Sequence, residues 1–405
     1  MSIDVQPPSI KSSLQDYLLR LKGGEIGSLP AMLGLVVLCG IFGVMSSSFF
    51  TAGNLANLLT QAAAVTVIAM GLVFVLLLGE IDLSAGYTSG VCGAVLVILV
   101  SKHQVAWWIA FPISIVVGAC LGILIGILVA YIKIPSFVVT LAAFLAFQGL
   151  LLLIAGEGGT MPFYDKTVLK VENGNLTPSV SWLFFLIAMS LYILLSLRRL
   201  ILRRRTGLHV ELLQVWMLKN FTLVGICAAA VAVLNLERSL NPKIVHLKGV
   251  PIVVPLILFL LVIGTFVLQR TSFGRHLYAV GGNAEAARRA GVNVKHIRLY
   301  AFAICSGTSA FAGMIFASRQ NSVSASTGGN STLLYAVGAA VIGGTSLFGG
   351  KGKMRDAILG GLVVAVIDNG MGLLGYSAGI KYMITGAVLL AAAGVDAISR
   401  KRGSS

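Results

Sequence analysis

LVFVLLL, residues 72–78, is apolar at every position. A transmembrane strand would alternate apolar and polar residues over about ten positions; this run does not, nor does LILFLLVIG at 256–264. Both read as helices whose surroundings are apolar. The composition extends that reading to the whole chain of 405 residues. Hydrophobic residues make up 57%, charged residues 11%, and the mean hydropathy is +0.94. A soluble domain carries about 25% charged residues, so water is not the solvent for most of this surface. The expected class is an all-α integral membrane protein.

A membrane-spanning helix needs about 20 mostly apolar residues. Twelve stretches qualify, near 30–48, 61–79, 84–101, 107–131, 136–155, 181–197, 220–236, 250–268, 297–318, 332–348, 357–374 and 380–397. Several are short or glycine-rich, so the expectation is a polytopic bundle of roughly ten to twelve transmembrane helices. Threading twelve spans from a cytoplasmic N-terminus puts 22 of the 30 Lys and Arg on the inner side. They include Lys11, Arg20, Lys22, Lys133, the basic group at 198–219, Arg270 to Arg298, Lys351 to Arg355, and Arg400 to Arg402. Cytoplasmic enrichment of Lys and Arg favours this threading, with both termini inside. It also explains the net charge of +16, because anionic lipid is the usual counter-charge at such positions. Nucleic-acid binding is not expected. Trp107, Trp108, Trp182 and Trp216 all fall at span ends, where an indole keeps an apolar body and a polar N–H both satisfied.

Residues 1–29 show no signal peptide. Ile10, Leu14, Tyr17, Leu18 and Leu21 share one helical face, which suits an amphipathic helix on the cytoplasmic membrane surface; an unstructured tail is the alternative. Residues 30–397 form the membrane domain and 398–405 a basic cytoplasmic tail. The five cysteines have neither metal nor redox spacing and read as small packing residues. In GACLGILIG (118–126), Gly118, Gly122 and Gly126 share a face, as expected where helices pack closely in lipid.

Polar residues inside the apolar spans are the candidates for function. In GEIDLSAG (79–86), Glu80 and Asp82 interrupt an apolar run. Either Asp82 caps a helix beginning near Ser84, or it meets solute. GGTSLFGG (343–350) shares the pattern Gly-x-x-x-Leu-x-x-Gly and also ends an apolar span; transporters often carry such internal pseudo-repeats around broken helices. Asp368 and Asn369 lie inside the eleventh span. They line a cavity or pair across a subunit interface, with Lys381 as a conceivable charge partner. The largest polar interruption is FGRHLYAVGGNAEAARRAGVNVKHIR (273–298), with five Arg and Lys against one Glu. Asn283 is placed to cap a short helix containing Glu285, Ala286, Ala287, Arg288 and Arg289, which Gly291 ends. No phosphate-binding loop of the form Gly-x-x-x-x-Gly-Lys-Ser/Thr occurs, and the five His lie in loops or at span ends. Neither ATP hydrolysis nor another catalytic activity is expected.

Several of these stretches carry a family resemblance that covers nearly the whole chain. GEIDLSAG, IPSFVVTLAAFLAFQG (134–149), FGRHLYAVGGNAEAARRAGV (273–292), VIGGTSLFGGKG and IDNGMGLLG are similar to segments of the permease subunits of bacterial ABC sugar importers. The likeness is to the ribose/xylose-type branch. The material between about 195 and 250 resembles the longer, xylose permeases. One departure is Gln148, where the family commonly has Arg, so no guanidinium at that position faces Asp82 or Asp368.

The resemblance implies a transport subunit that binds no cofactor itself and is driven by separate ATPase subunits using ATP and Mg. The loop at 270–296 would dock them. A second permease copy would complete the pathway, and a periplasmic sugar-binding protein would deliver a monosaccharide, D-xylose or a related pentose, across the inner membrane. The polar segments 156–180 and 319–332 are its expected contacts. The rival reading is an ion-coupled secondary transporter with Asp82 and Asp368 as ion sites.

Overall fold

The computed structural model describes residues 28–156, 158–206, 212–239 and 241–403, without the side chains of Asn330 and 395–403. The amphipathic segment expected at 1–29 lies almost entirely outside the described residues, as do the side chains of the basic tail. Each of the twelve apolar stretches is a helix. In order these are α1 (Leu29–Met45), α2 (Ala52–Leu76), α3 (Ala85–Val97, continued by a π turn at Ile98–Lys102), α4 (Trp107–Ala130) and α5 (Ser136–Ala155). After the strand β1 (Thr160–Pro162) and the short helix α6 (Lys166–Asn173) come α7 (Pro178–Arg205), α8 (Leu213–Leu234) and α9 (Val253–Arg270). The polar interruption holds α10 (Ser272–Gly282) and α11 (Ala284–Arg289). Then follow α12 (Val294–Gln320), β2 (Ser322–Ser324), α13 (Asn330–Gly343), α14 (Met354–Leu373) and α15 (Ala378–Gly403). Among the described residues nine helices are long and apolar enough to cross a membrane, and α1, α13 and α15 contribute shorter apolar stretches.

Two boundaries depart from expectation. α2 begins at Ala52 rather than near 61, because Thr51 Oγ1 accepts from Asn54 N at its start and the polar residues Asn54, Asn57 and Gln61 lie within the helix. The stretch 273–298 is not a loop, since helix occupies most of it.

Residues 30–397, expected as one membrane domain, include a second compact unit at 175–250. It contains α7 and α8, which pack on each other; Trp216 Nε1 donates to Ser196 Oγ at 2.8 Å. Its connecting segment is ordered by Arg238, which donates to Leu234 O, Asn175 Oδ1 and Gly249 O. Next to it, bonds from His246 and the Leu247 amide hold the Glu237 carboxyl down to about 2.

The other unit, 27–174 with 251–397, centres on α2 and α12. α12 packs against α2, α3 and α4, and α2 also packs against α13 and α14. In lipid no hydrophobic driving force holds helices together, so close van der Waals contact must do it. The Gly118/Gly122/Gly126 face of α4 provides that contact. A Cβ at Gly118 would lie 2.6 Å from Ser306 O, one at Gly122 would overlap Phe302 O, and one at Gly126 would lie 2.8 Å from Leu299 Cα. Small residues therefore let α4 lie on the backbone of α12. Gly122→Ala should lower the melting temperature of the detergent-solubilised protein, with an overpacking cost of about 1–3 kcal/mol. Gly225→Ala on α8, where a Cβ meets open space, should leave it unchanged.

Candidate functional site at the helix breaks

The two glycine-bearing octets are joints between core helices, one linking α2 to α3 and the other linking α13 to α14. They meet directly. Gly350 N donates to Leu77 O at 2.9 Å, and a Cβ on Gly79 would come within 3.2 Å of Phe348 O. Gly79, Gly349 and Gly350 have φ of +74°, +84° and +74°, a left-handed backbone that glycine adopts without strain.

Asp82 sits in the first break with no exposed surface. Its Oδ1 accepts from Ser84 N at 2.9 Å and from Ser84 Oγ at 2.6 Å, immediately ahead of α3. These bonds close a turn ahead of α3; they reach Ser84, the residue before the helix, and no side chain caps the helix itself. Ser84 is equally buried, and its carbonyl accepts from Thr88 Oγ1. Oδ2 of Asp82 accepts no N–H or O–H bond; the thiol of Cys305, a weak donor, lies beside it. The Thr140 hydroxyl of α5 donates to Ser136 O at 2.8 Å and lies 3.2 Å from Ile81 O, so that helix touches the same break. Gln148, further along α5, is half-buried.

Glu80 pairs with Arg298 at 3.2 Å, their side chains 15% and 31% exposed. Charge alone had assigned Arg298 only to the inner side, and its partner was not legible. Asp368 and Asn369, adjacent in sequence, have separate partners. Asp368 meets Lys381 of α15 at 3.4 Å, while Asn369 exchanges amide bonds with Asn54 of α2 at 2.9 and 3.0 Å and donates to Gln61 Oε1 at 3.3 Å. Asn369 is buried, whereas the Asp368 side chain remains 41% exposed beside Lys381.

The short helix of the polar interruption has the expected construction. Asn283 Oδ1 accepts from Ala286 N at 2.9 Å, and Gly291, at φ +85°, follows its last turn. Glu285 pairs with Arg288 at 2.7 Å and with Arg289 at 3.3 Å; the Arg288 bond is the main reason its carboxyl is held below the ordinary range. Asn283, Glu285, Ala286, Arg288, Arg289 and Gly291 are exposed, whereas Ala287 is buried and anchors the helix. Before it, α10 buries Leu277 and Val280 and reaches the breaks. Tyr278 Oη donates to Gly352 O at 2.7 Å.

From Arg298 to Arg319, α12 rises about 30 Å, the thickness of a bilayer's hydrocarbon core. At its far end residues 160–173 and 318–324 form one cap. β1 pairs antiparallel with β2. Asn173 donates to Ser318 O at 2.6 Å and to Asn321 Oδ1 at 3.1 Å, and Asp165 caps α6. The Glu172 side chain, only 1% exposed, faces Arg319 at 3.6 Å. Burial outweighs the arginine and pushes its carboxyl up to about 8 from an ordinary 4.5. The folded cap therefore keeps a proton that the opened one releases, so its stability is greatest below about pH 4.5. It falls as pH rises through the window from 4.5 to 8 and is level above it. Amide protection factors over 160–173, which remove the intrinsic pH dependence of exchange, should fall across that window, and Glu172→Gln should flatten the dependence.

Comparison with known proteins fits this architecture. The family model described as branched-chain amino acid transport system / permease component matches residues 54–393. The chain belongs to this permease family. Its relatives include the xylose transport system permease protein of Haemophilus influenzae, 34% identical over 390 residues, 95% of this chain and 100% of that protein. The protein of that name in Escherichia coli K12 is 36% identical over 360 residues, covering 88% of this chain and 87% of the relative. The ribose import permease protein of H. influenzae is 26% identical over 367 residues, 90% of this chain and 92% of that protein. No solved structure matches the chain. The chain is a multi-pass inner-membrane transport subunit, not an enzyme.

Proposed function

We propose that the chain is the membrane permease of an ATP-driven importer carrying a monosaccharide, D-xylose or a related pentose, into the cell. The observation that carries the reading is the exposed, capped α11 with its paired Glu285 and Arg288, joined through α10 to the breaks in the core helices. ATPase subunits, which hold the ATP and Mg, dock on α11 from the cytoplasm, the side on which both termini lie. A sugar-binding protein meets the polar segments 156–180 and 319–332, and a second copy of the chain completes the pathway. Anionic lipid neutralises the basic residues at the inner helix ends.

A pentose is uncharged and needs no buried ion to cross. In the ion-coupled alternative Asp82 and Asp368 would be ion sites, yet the first is engaged by Ser84 and the second by Lys381. The importer reading expects no xylose uptake by the chain reconstituted without ATPase subunits; uptake under those conditions refutes it. In the full system Glu285→Lys should cut initial uptake by roughly tenfold or more, the effect of losing about 1.4 kcal/mol of docking free energy. Membrane insertion of the variant should be normal.

A further inference from the structure

Gly281 sits in α10 with an ordinary helical backbone, not among the glycines of positive φ. Its missing side chain is therefore not a conformational requirement, and within a helix glycine is less favourable than alanine. The reason is contact. A Cβ at Gly281 would overlap Leu77 O and lie 2.8 Å from Gly350 N, the two atoms that already bond the breaks together. From the other side, a Cβ on Gly349 would lie 2.9 Å from both Gly281 O and Gly79 N, and one on Gly350 would lie 3.3 Å from Gly282 Cα. Two side-chain ties flank this point, Tyr278 to Gly352 O and Arg298 to Glu80. By contrast, a Cβ at the neighbouring Gly282 meets nothing within 4 Å.

We propose that Gly281 is the transmission point of this permease. There the backbone of α10 bears on both helix breaks at once, so a single displacement of the docking element moves the α2–α3 and α13–α14 joints together. Three backbones in contact without intervening side chains leave no soft side-chain layer to absorb the movement. Gly281 acts through the breaks and not on solute, so it is a positioning residue. The proposal rests on α11 being the ATPase-docking element.

The adjacent glycines provide a matched pair. Gly281→Ala and Gly282→Ala change helix propensity alike and differ in what the added methyl meets. Each is measured in proteoliposomes of the full importer, with its ATPase and binding protein, for ATPase copurification, ATP hydrolysis and xylose uptake. Gly281→Ala should retain the ATPase subunits and their hydrolysis while uptake per ATP falls about tenfold, the scale of a modest overpacking penalty. Gly282→Ala should stay within about twofold of wild type on the same scale. Wild-type coupling in Gly281→Ala overturns the proposal, as does loss of ATPase copurification, which would make the residue part of docking itself.

Tyr278→Phe removes one hydroxyl without adding bulk and covers the case in which Gly281→Ala fails to fold. It should lower uptake per ATP about threefold, and an unchanged ratio overturns the proposal. Glu285→Lys separates the two levels of the argument. If that variant binds ATPase as tightly as wild type, the docking reading fails, whatever Gly281→Ala does.

Discussion

The hydrogen bond from Gly350 N to Leu77 O fastens two interrupted helix pairs at one point. A helix that stops inside a membrane protein leaves carbonyl and amide groups that lipid cannot satisfy. Here each interruption serves the other, with α10 closing over both. The requirement sets the local sequence. Gly79, Gly349 and Gly350 supply left-handed turns, Gly281 lets a third backbone approach, and Asp82 with Ser84 closes the turn that leads into α3. A buried carboxylate is costly unless bonded, and its two bonds to Ser84 offset part of that cost.

From this junction the rest of the larger unit follows through α12. Its near end carries Arg298, paired with Glu80, and its far end carries Arg319, which faces Glu172. Between them α12 lies on the glycine face of α4. A rod packed backbone to backbone gives the breaks a firm surface to move against. The far cap, pinned by Asn173 and Ser318, is thereby linked mechanically to the same helix.

Local chemistry was legible in the sequence. Apolar run length located all twelve helices, the four-residue glycine spacing marked the face of α4, and Asn283 with Gly291 bounded α11. Lys381 as a partner for Asp368 also followed from residue type. Hydropathy misplaced the start of α2, because Asn54 and Asn57 fell outside the apolar span although Asn54 faces Asn369 across a helix pair. The Gly281-Gly282 pair and its charged neighbours likewise disguised α10. Non-local pairings left no local trace. β1 with β2, Glu80 with Arg298, and the contact of the two octets depend on how distant segments come together.

The central claim is that docking-element motion reaches both helix breaks together. Amide hydrogen exchange reports local opening segment by segment. It can compare the complete importer in nanodiscs at rest with the same assembly trapped by ATP and vanadate. The account predicts that amides of 77–84 and 344–353 change protection in concert with those of α10. A change in α10 that leaves either break untouched would contradict it.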